Sequence, residues 1–125
     1  MTDPKPTGFV ITPELFETNR VLDEIASERR RQRDRWGTQN HEPLYWLAIL
    51  GEEFGEVSRE VCELRVDEHR LDAAIAARHS DETISAAYAQ RRQRLSDLRK
   101  ELVQTAAVAT AMVESLDRNE LGGGR

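Results

Sequence analysis

Apolar residues in this chain recur at intervals of three and four, the period of helices rather than the alternation of strands. Residues 1–11 hold two of the four prolines and read as a loose arm. Thr12 then offers an N-cap, Pro13 suits the first helical position, and Glu14 favours the positive helix end. Leu15, Val21, Leu22 and Ile25 form an apolar stripe, and Gly37 supplies a stop, so the first helix is predicted over 13–35. GTQNHEP is a polar connection rich in turn formers. Pro43 opens a second helix running to about Val66, with Leu47, Leu50, Phe54, Val57, Val61 and Leu64 as its stripe.

Residues 67–94 are helix-prone but weakly amphipathic, and read as an insertion of one or two helices with a restart at Ser80. Ser96 and Asp97 then suit the start of a last long helix. From Thr105 to Val113 every residue is small or apolar, which places this segment in an interior or at a subunit contact. Residues 120–125 read as a flexible tail. The prediction is a single all-α domain over 1–125, an antiparallel bundle of four to five helices that oligomerises.

Composition supports helices: a third of the 125 residues are charged and only 6% are aromatic. A net charge of -5 argues against a nucleic-acid partner. The one cysteine, Cys62, excludes an internal disulfide and suits a reducing compartment. No apolar run reaches the roughly 20 residues of a membrane span, and the N-terminus lacks the pattern of a signal peptide. The expectation is a cytoplasmic protein with no membrane partner.

LAILGEEFGEVSREV crowds Glu52, Glu53 and Glu56 into an apolar frame. On a helical wheel Glu53 lies about 70° from the middle of the stripe and Glu56 about 130° away, one turn apart on one side. Like charges this close cost energy without a counter-ion, and a hard divalent cation with oxygen ligands supplies one. In KELVQ, Glu101 borders the apolar stripe of the last helix and Gln104 stands one turn on. If the two helices pack, Glu53, Glu56, Glu101 and Gln104 converge from facing walls, as carboxylate sites in helical bundles do. Any one of these glutamates alone is more often simply solvated.

EEFGE (Glu52 to Glu56) fits the EExxE element of the MazG-type all-α nucleoside triphosphate pyrophosphohydrolases, and ELVQ (Glu101 to Gln104) resembles that family's ExxD, with Gln in place of Asp. The text RQRDRWGTQNHEPLYWLAILGEEFGEV is similar to short phage and bacterial members, and the likeness covers roughly 28–64 and 96–118. The resemblance implies dimers or dimers of dimers. It implies Mg²⁺, with Mn²⁺ as a possible substitute, held by Glu53, Glu56, Glu101 and the Gln104 position. It implies cleavage of a nucleoside triphosphate between the α and β phosphates, with Glu52 a ligand or the base that orients water and Glu53 beside it in the catalytic pair. Two departures stand out. Gln104 brings no charge and weakens the ion site, and the gap between the two elements is longer than in the family. The alternatives are a nucleotide- or metal-binding module with weakened chemistry, or a purely structural helical oligomer.

ERRRQRDR carries five arginines against two acids. Phosphate capture is one reading, with Arg35 the residue nearest the following loop. A solvated helix end, where cations complement the dipole, is the plainer one. WGTQNH offers Trp36 for stacking on a base and Gln39, Asn40 and His41 for hydrogen bonds to it. The competing reading is a helix cap and polar loop with Trp36 on the core. Trp46 reads as core or interface, and Cys62 as a packed small residue. His41, His69, His79 and Cys62 lack zinc spacing, and no GxxxxGK[ST] is present, which excludes a P-loop mechanism.

Overall fold

The computed structural model describes residues 12–122, so the predicted arm at 1–11 and the last three residues of the tail lie outside the described residues. Within them are three α-helices and no strand: α1 (Pro13–Trp36), α2 (Pro43–Ala76) and α3 (Asp81–Asn119). The all-α prediction holds. Within the described residues of one chain, however, there are three helices rather than four or five.

The caps at α1 are those expected. Thr12 Oγ1 accepts from the Leu15 amide at 3.2 Å, and Gly37 ends the helix at φ 71°, a conformation that favours glycine. The difference lies in residues 67–94. VDEHRLDAAIA contains no Gly or Pro, so nothing stops α2 at Val66, and it continues to Ala76. Arg78, in the left-handed region at φ 52°, closes a Schellman-type end in which the His79 amide donates to the Ala74 carbonyl at 3.0 Å. Ser80 then caps α3, accepting from the Thr83 amide at 3.2 Å, with Asp81 and Glu82 in the first turn. Ser96 therefore falls inside α3 and caps nothing. The predicted insertion is the far end of a long helical hairpin, half from each helix.

α3 is the spine. α2 packs antiparallel along it, and α1 also lies on it without a close backbone approach to α2. α1 runs in the same sense as α3: Arg99 meets Glu24 with guanidinium contacts of 2.6 and 2.7 Å, and further along Arg29 and Arg33 both reach Glu114, at 2.8 and 3.2 Å. The core is small. Trp46, 1% exposed, packs with Val108 and Ala111, flanked by Ile49, Leu50 and Met112. Towards the hairpin tip, Leu71 and Ala74 are buried, and Asp67, 3% exposed, receives Arg94 Nε at 2.9 Å. Arg94 also faces Glu60 at 3.6 Å and Glu63 at 3.9 Å.

The stripe predicted for α2 divides. Leu50, Val57 and Leu64 are half-buried, whereas Leu47, Phe54 and Val61 are exposed. The face that meets α3 is centred instead on Trp46, Glu53, Glu60 and Asp67, one heptad apart, so Glu53 sits closer to the packed face than its predicted edge position. Cys62, expected to pack, is exposed because it falls on the opposite side of α2.

Because Trp46 is the largest fully buried side chain among the described residues, Trp46→Ala is expected to lower stability by about 3–5 kcal/mol, read as a reduced urea midpoint.

Candidate functional site

α1 and α2 both rest on α3 without meeting, which leaves a cleft between them of about 870 Å³. One wall comes from α1 and the residues after it (Glu28, Arg31, Arg35, Trp36, Gln39), the other from α2 (Trp46, Ile49, Glu53), and the floor from α3 (Gln104, Val108, Ala111). The cleft has two chemical ends. Trp36, Trp46, Ile49 and Val108 make an apolar, aromatic end, with Arg35 over Trp36, while Glu28, Glu53 and Gln104 make an acidic and amide end with Arg31 beside it. A second cavity of about 580 Å³ continues between α1 and α3, sharing Glu28, Arg31 and Gln104 and adding Arg99 and Lys100.

At the acidic end, burial first, then the neighbouring carboxylates of Glu101, Glu56, Glu52 and Glu28, hold the Glu53 carboxyl above the usual glutamate range. Burial likewise leads in raising Glu101, followed by Glu56 and Glu60, with Arg59 opposing and Asp97 adding to the rise. Across the α2–α3 contact, then, the Glu101 carboxylate bears on Glu53 and the Glu56 carboxylate on Glu101. No three Asp, Glu, His or Cys side chains among the described residues are gathered as a metal-holding group. The donors are all hard oxygens, the type Mg²⁺ or Mn²⁺ takes, and Gln104 adds an amide oxygen at the floor.

A comparison within the hairpin sharpens this. One heptad further along α2, Glu60, Glu63 and Asp67 also crowd together, but α3 meets them with Arg94. Seven residues on from Arg94, α3 presents Glu101 instead. One layer is met by a guanidinium of α3; the next sets carboxylate against carboxylate, and there Arg59 of α2, paired to Glu56 at 3.7 Å, opposes the rise at Glu101.

The other predicted residues separate. Arg35, Trp36 and Gln39 line the cleft, and the Arg35 guanidinium lies 4.8 Å from the Trp36 ring centre. Glu52 is exposed and lies outside the cleft wall. Asn40 is used structurally: its Oδ1 accepts from Arg118 at 3.0 Å and from Asn119 at 3.0 Å, pinning the loop to the end of α3. His41 stacks against Tyr45 at 4.4 Å and meets the Trp46 edge at 4.9 Å, and it does not line the cleft.

Sequence reasoning did not single out Glu28 or give Trp46 a place in a site wall. Glu28 is 8% exposed and held by Arg31 through two contacts of 3.0 and 3.1 Å. The i, i+3 spacing of Glu28 and Arg31 was visible, but five arginines in the run made several such pairs possible. The Trp46 indole N–H is buried and has no hydrogen-bond partner among the described residues. Comparison with protein-family models, with curated proteins and with solved structures found no match for this chain.

The raised carboxyls fix the sign of a pH effect. A folded state in which Glu53 and Glu101 bind protons more tightly than the unfolded chain loses stability as pH rises from the ordinary glutamate range through the raised values, then levels off. Glu53→Gln is expected to flatten that part of the curve and to be more stable than the native chain near neutral pH in chelator. Urea unfolding across pH checks this, and an unchanged pH profile in the variant would count against it.

Proposed function

We propose that the cleft binds a nucleoside triphosphate together with a divalent cation and hydrolyses it between the α and β phosphates, as the resemblance to MazG-type pyrophosphohydrolases implies. The observation that carries this reading is that Glu101 of α3 bears on Glu53 of α2, and Glu56 on Glu101, where α3 presents no arginine of the kind that meets Asp67 in the next layer. An arrangement of that kind is costly until a cation from solution enters it. The adjoining cleft is within the size range of small-molecule sites and offers aromatic surface together with two arginines, Arg35 over Trp36 and Arg31 beside Glu28.

In this reading Glu53, Glu56, Glu101 and the Gln104 amide oxygen hold the ion. A bound Mg²⁺ supplies charge neutralisation at the phosphoryl oxygens. Trp36 and Gln39 take the base, and Arg31 and Arg35 orient the phosphate chain. Water adds to the α phosphorus, the bond to the bridging oxygen breaks, and pyrophosphate leaves. Glu52, on the exposed flank of α2, orients that water and accepts its proton, while Glu53 stays with the ion. Assembly as dimers or dimers of dimers belongs to the same reading.

Pyrophosphate release from a panel of canonical and modified nucleoside triphosphates in millimolar Mg²⁺ or Mn²⁺ tests the reaction. Glu53→Gln is expected to lower the rate by about a hundredfold or more. No turnover by the native chain on any nucleotide would sink the hydrolase reading.

Gln104 favours a second reading, a module that binds nucleotide or ion and has lost the chemistry, because an amide contributes no charge to the site. Gln104→Asp separates the two. If the native chain binds without turning over and the variant releases pyrophosphate, the module reading stands. If the native chain is already active, Gln104→Asp is expected only to tighten the apparent affinity for Mg²⁺.

A further inference from the structure

We propose that the buried Glu28 is a positioning residue, holding Arg31 where the two cavities join so that the free edge of that guanidinium, with Lys100 across the groove, receives the terminal phosphates of a polyphosphate ligand. The class of ligand rests on the reading proposed above.

The two cavities make one groove along a single face of α3. Ala111, Val108 and Gln104 border the first and Gln104 and Lys100 the second, at steps of three and four residues. From Ala111 to Lys100 the groove follows roughly 16 Å of helix. Along it come the aromatic surface of Trp36 and Trp46, then Glu53 and Gln104, then Arg31 and Lys100. A nucleotide laid out in that order has its base at the first stage and the bond that breaks at the second. The departing pyrophosphate then lies at the third.

Arg31 differs from its neighbours in which edge of the guanidinium is used. Its Nε and Nη2 donate side-on to the two carboxylate oxygens of Glu28, at 3.1 and 3.0 Å. The end-on edge, Nη1 with the second Nη2 hydrogen, has no partner among the described residues. Arg99 is the reverse: Nη1 and Nη2 both donate to Glu24, at 2.6 and 2.7 Å, so its end-on edge is occupied. Arg29 commits Nε and Nη2 to Glu114 and Nη1 to Gln32. Arg35 lies over the Trp36 ring. An open end-on edge is the fork that matches two oxygens of a phosphate.

Burial gives Glu28 its part. It is 8% exposed, whereas the Arg31 side chain is 71% exposed. A carboxylate that deep is costly without its partner, so Arg31 stays tethered, and an apolar residue at position 28 would serve stability as well. What the acid adds is a fixed guanidinium. A free surface arginine loses rotamer freedom when it closes on a ligand; one already held has lost it beforehand. The acids of the second cavity leave the Arg31–Lys100 end basic. Glu24 and Glu28 are held by Arg99 and Arg31, and the exposed Asp23 stands about two turns of α1 from Arg31. Lys100 pairs with no carboxylate among the described residues.

Calorimetric titration of the full chain with inorganic pyrophosphate and with inorganic phosphate, in Mg²⁺, tests the proposal without turnover. The native chain is expected to bind pyrophosphate more tightly than phosphate, by about tenfold or more. Arg31→Lys keeps the charge and removes the fork; Glu28→Gln keeps the shape and releases the arginine. Each is expected to abolish most of that preference, and the double variant to lose no more than either alone, because one device is broken. Glu28→Asp, which keeps the charge with a shorter reach, is expected to retain part of it and serves where Glu28→Gln fails to fold. Arg30→Gln, in the same run but bordering neither cavity, leaves the preference unchanged. A purely structural Glu28 would weaken both anions alike. Equal binding of the two anions by the native chain overturns the proposal, as does a preference that survives Arg31→Lys or Glu28→Gln. Turnover of nucleotides with no such preference leaves the hydrolase reading standing and removes this one. A preference that depends on Glu28 and Arg31 in a chain without turnover does the reverse.

Discussion

The architecture depends on α3 serving two helices at once. Small side chains make this possible: Ala107 and Ala111 present little bulk, so α1 and α2 both come down on the same spine. Trp46 then fills the layer above Val108 and Ala111. Since α1 and α2 meet α3 but not each other, the space between them stays open as a cleft. The cleft is a by-product of that geometry: α1 pressed against α2 as well as α3 would close it. Loop 37–42 keeps the two outer helices apart at one end, with Asn40 fastened to Arg118 and Asn119.

Charge in the hairpin is arranged by layers. Near the tip, Arg94 reaches three carboxylates of α2, and Asp67 is almost fully buried with it. A buried acid of this kind tolerates its position because the guanidinium is hydrogen-bonded to it. A heptad away, α3 substitutes Glu101 for arginine and the carboxylates raise one another's proton affinity. The same helix pair thus holds one layer to which α3 supplies a cation and one to which it does not. Incompleteness of this sort costs folding stability, and it is also what prepares a site for a cation or a proton.

α2 bears most of these demands. One side meets α3, an adjacent side carries Glu53 and Trp46 into the cleft, and the far side holds Leu47, Phe54 and Val61 in the open. A sequence with apolar residues on two opposite sides and acids between them has no single amphipathic direction. That is why the period of its leucines and valines identified a helix correctly but pointed its core face between the two real ones.

Local signals in the chain were sufficient for the helix class, for Thr12, Pro13, Gly37 and Pro43 at the helix ends, and for Ser80 as a restart, because capping and backbone preference act within one turn. That Glu53 and Glu101 bear on one another's helix was also legible, since both border an apolar stripe at helical spacing. The register of the hairpin was not. Whether residues 67–94 form separate helices or extend their neighbours depends on the burial of Leu71 and Ala74 and on Asp67 meeting Arg94, 27 residues away, and no local propensity encodes that. Nor could spacing tell that Asn40 and His41 brace the loop while Gln39 faces the cleft. Adjacent residues in a loop share one composition, and only the approach of α3 and Trp46 decided which way each of them turned.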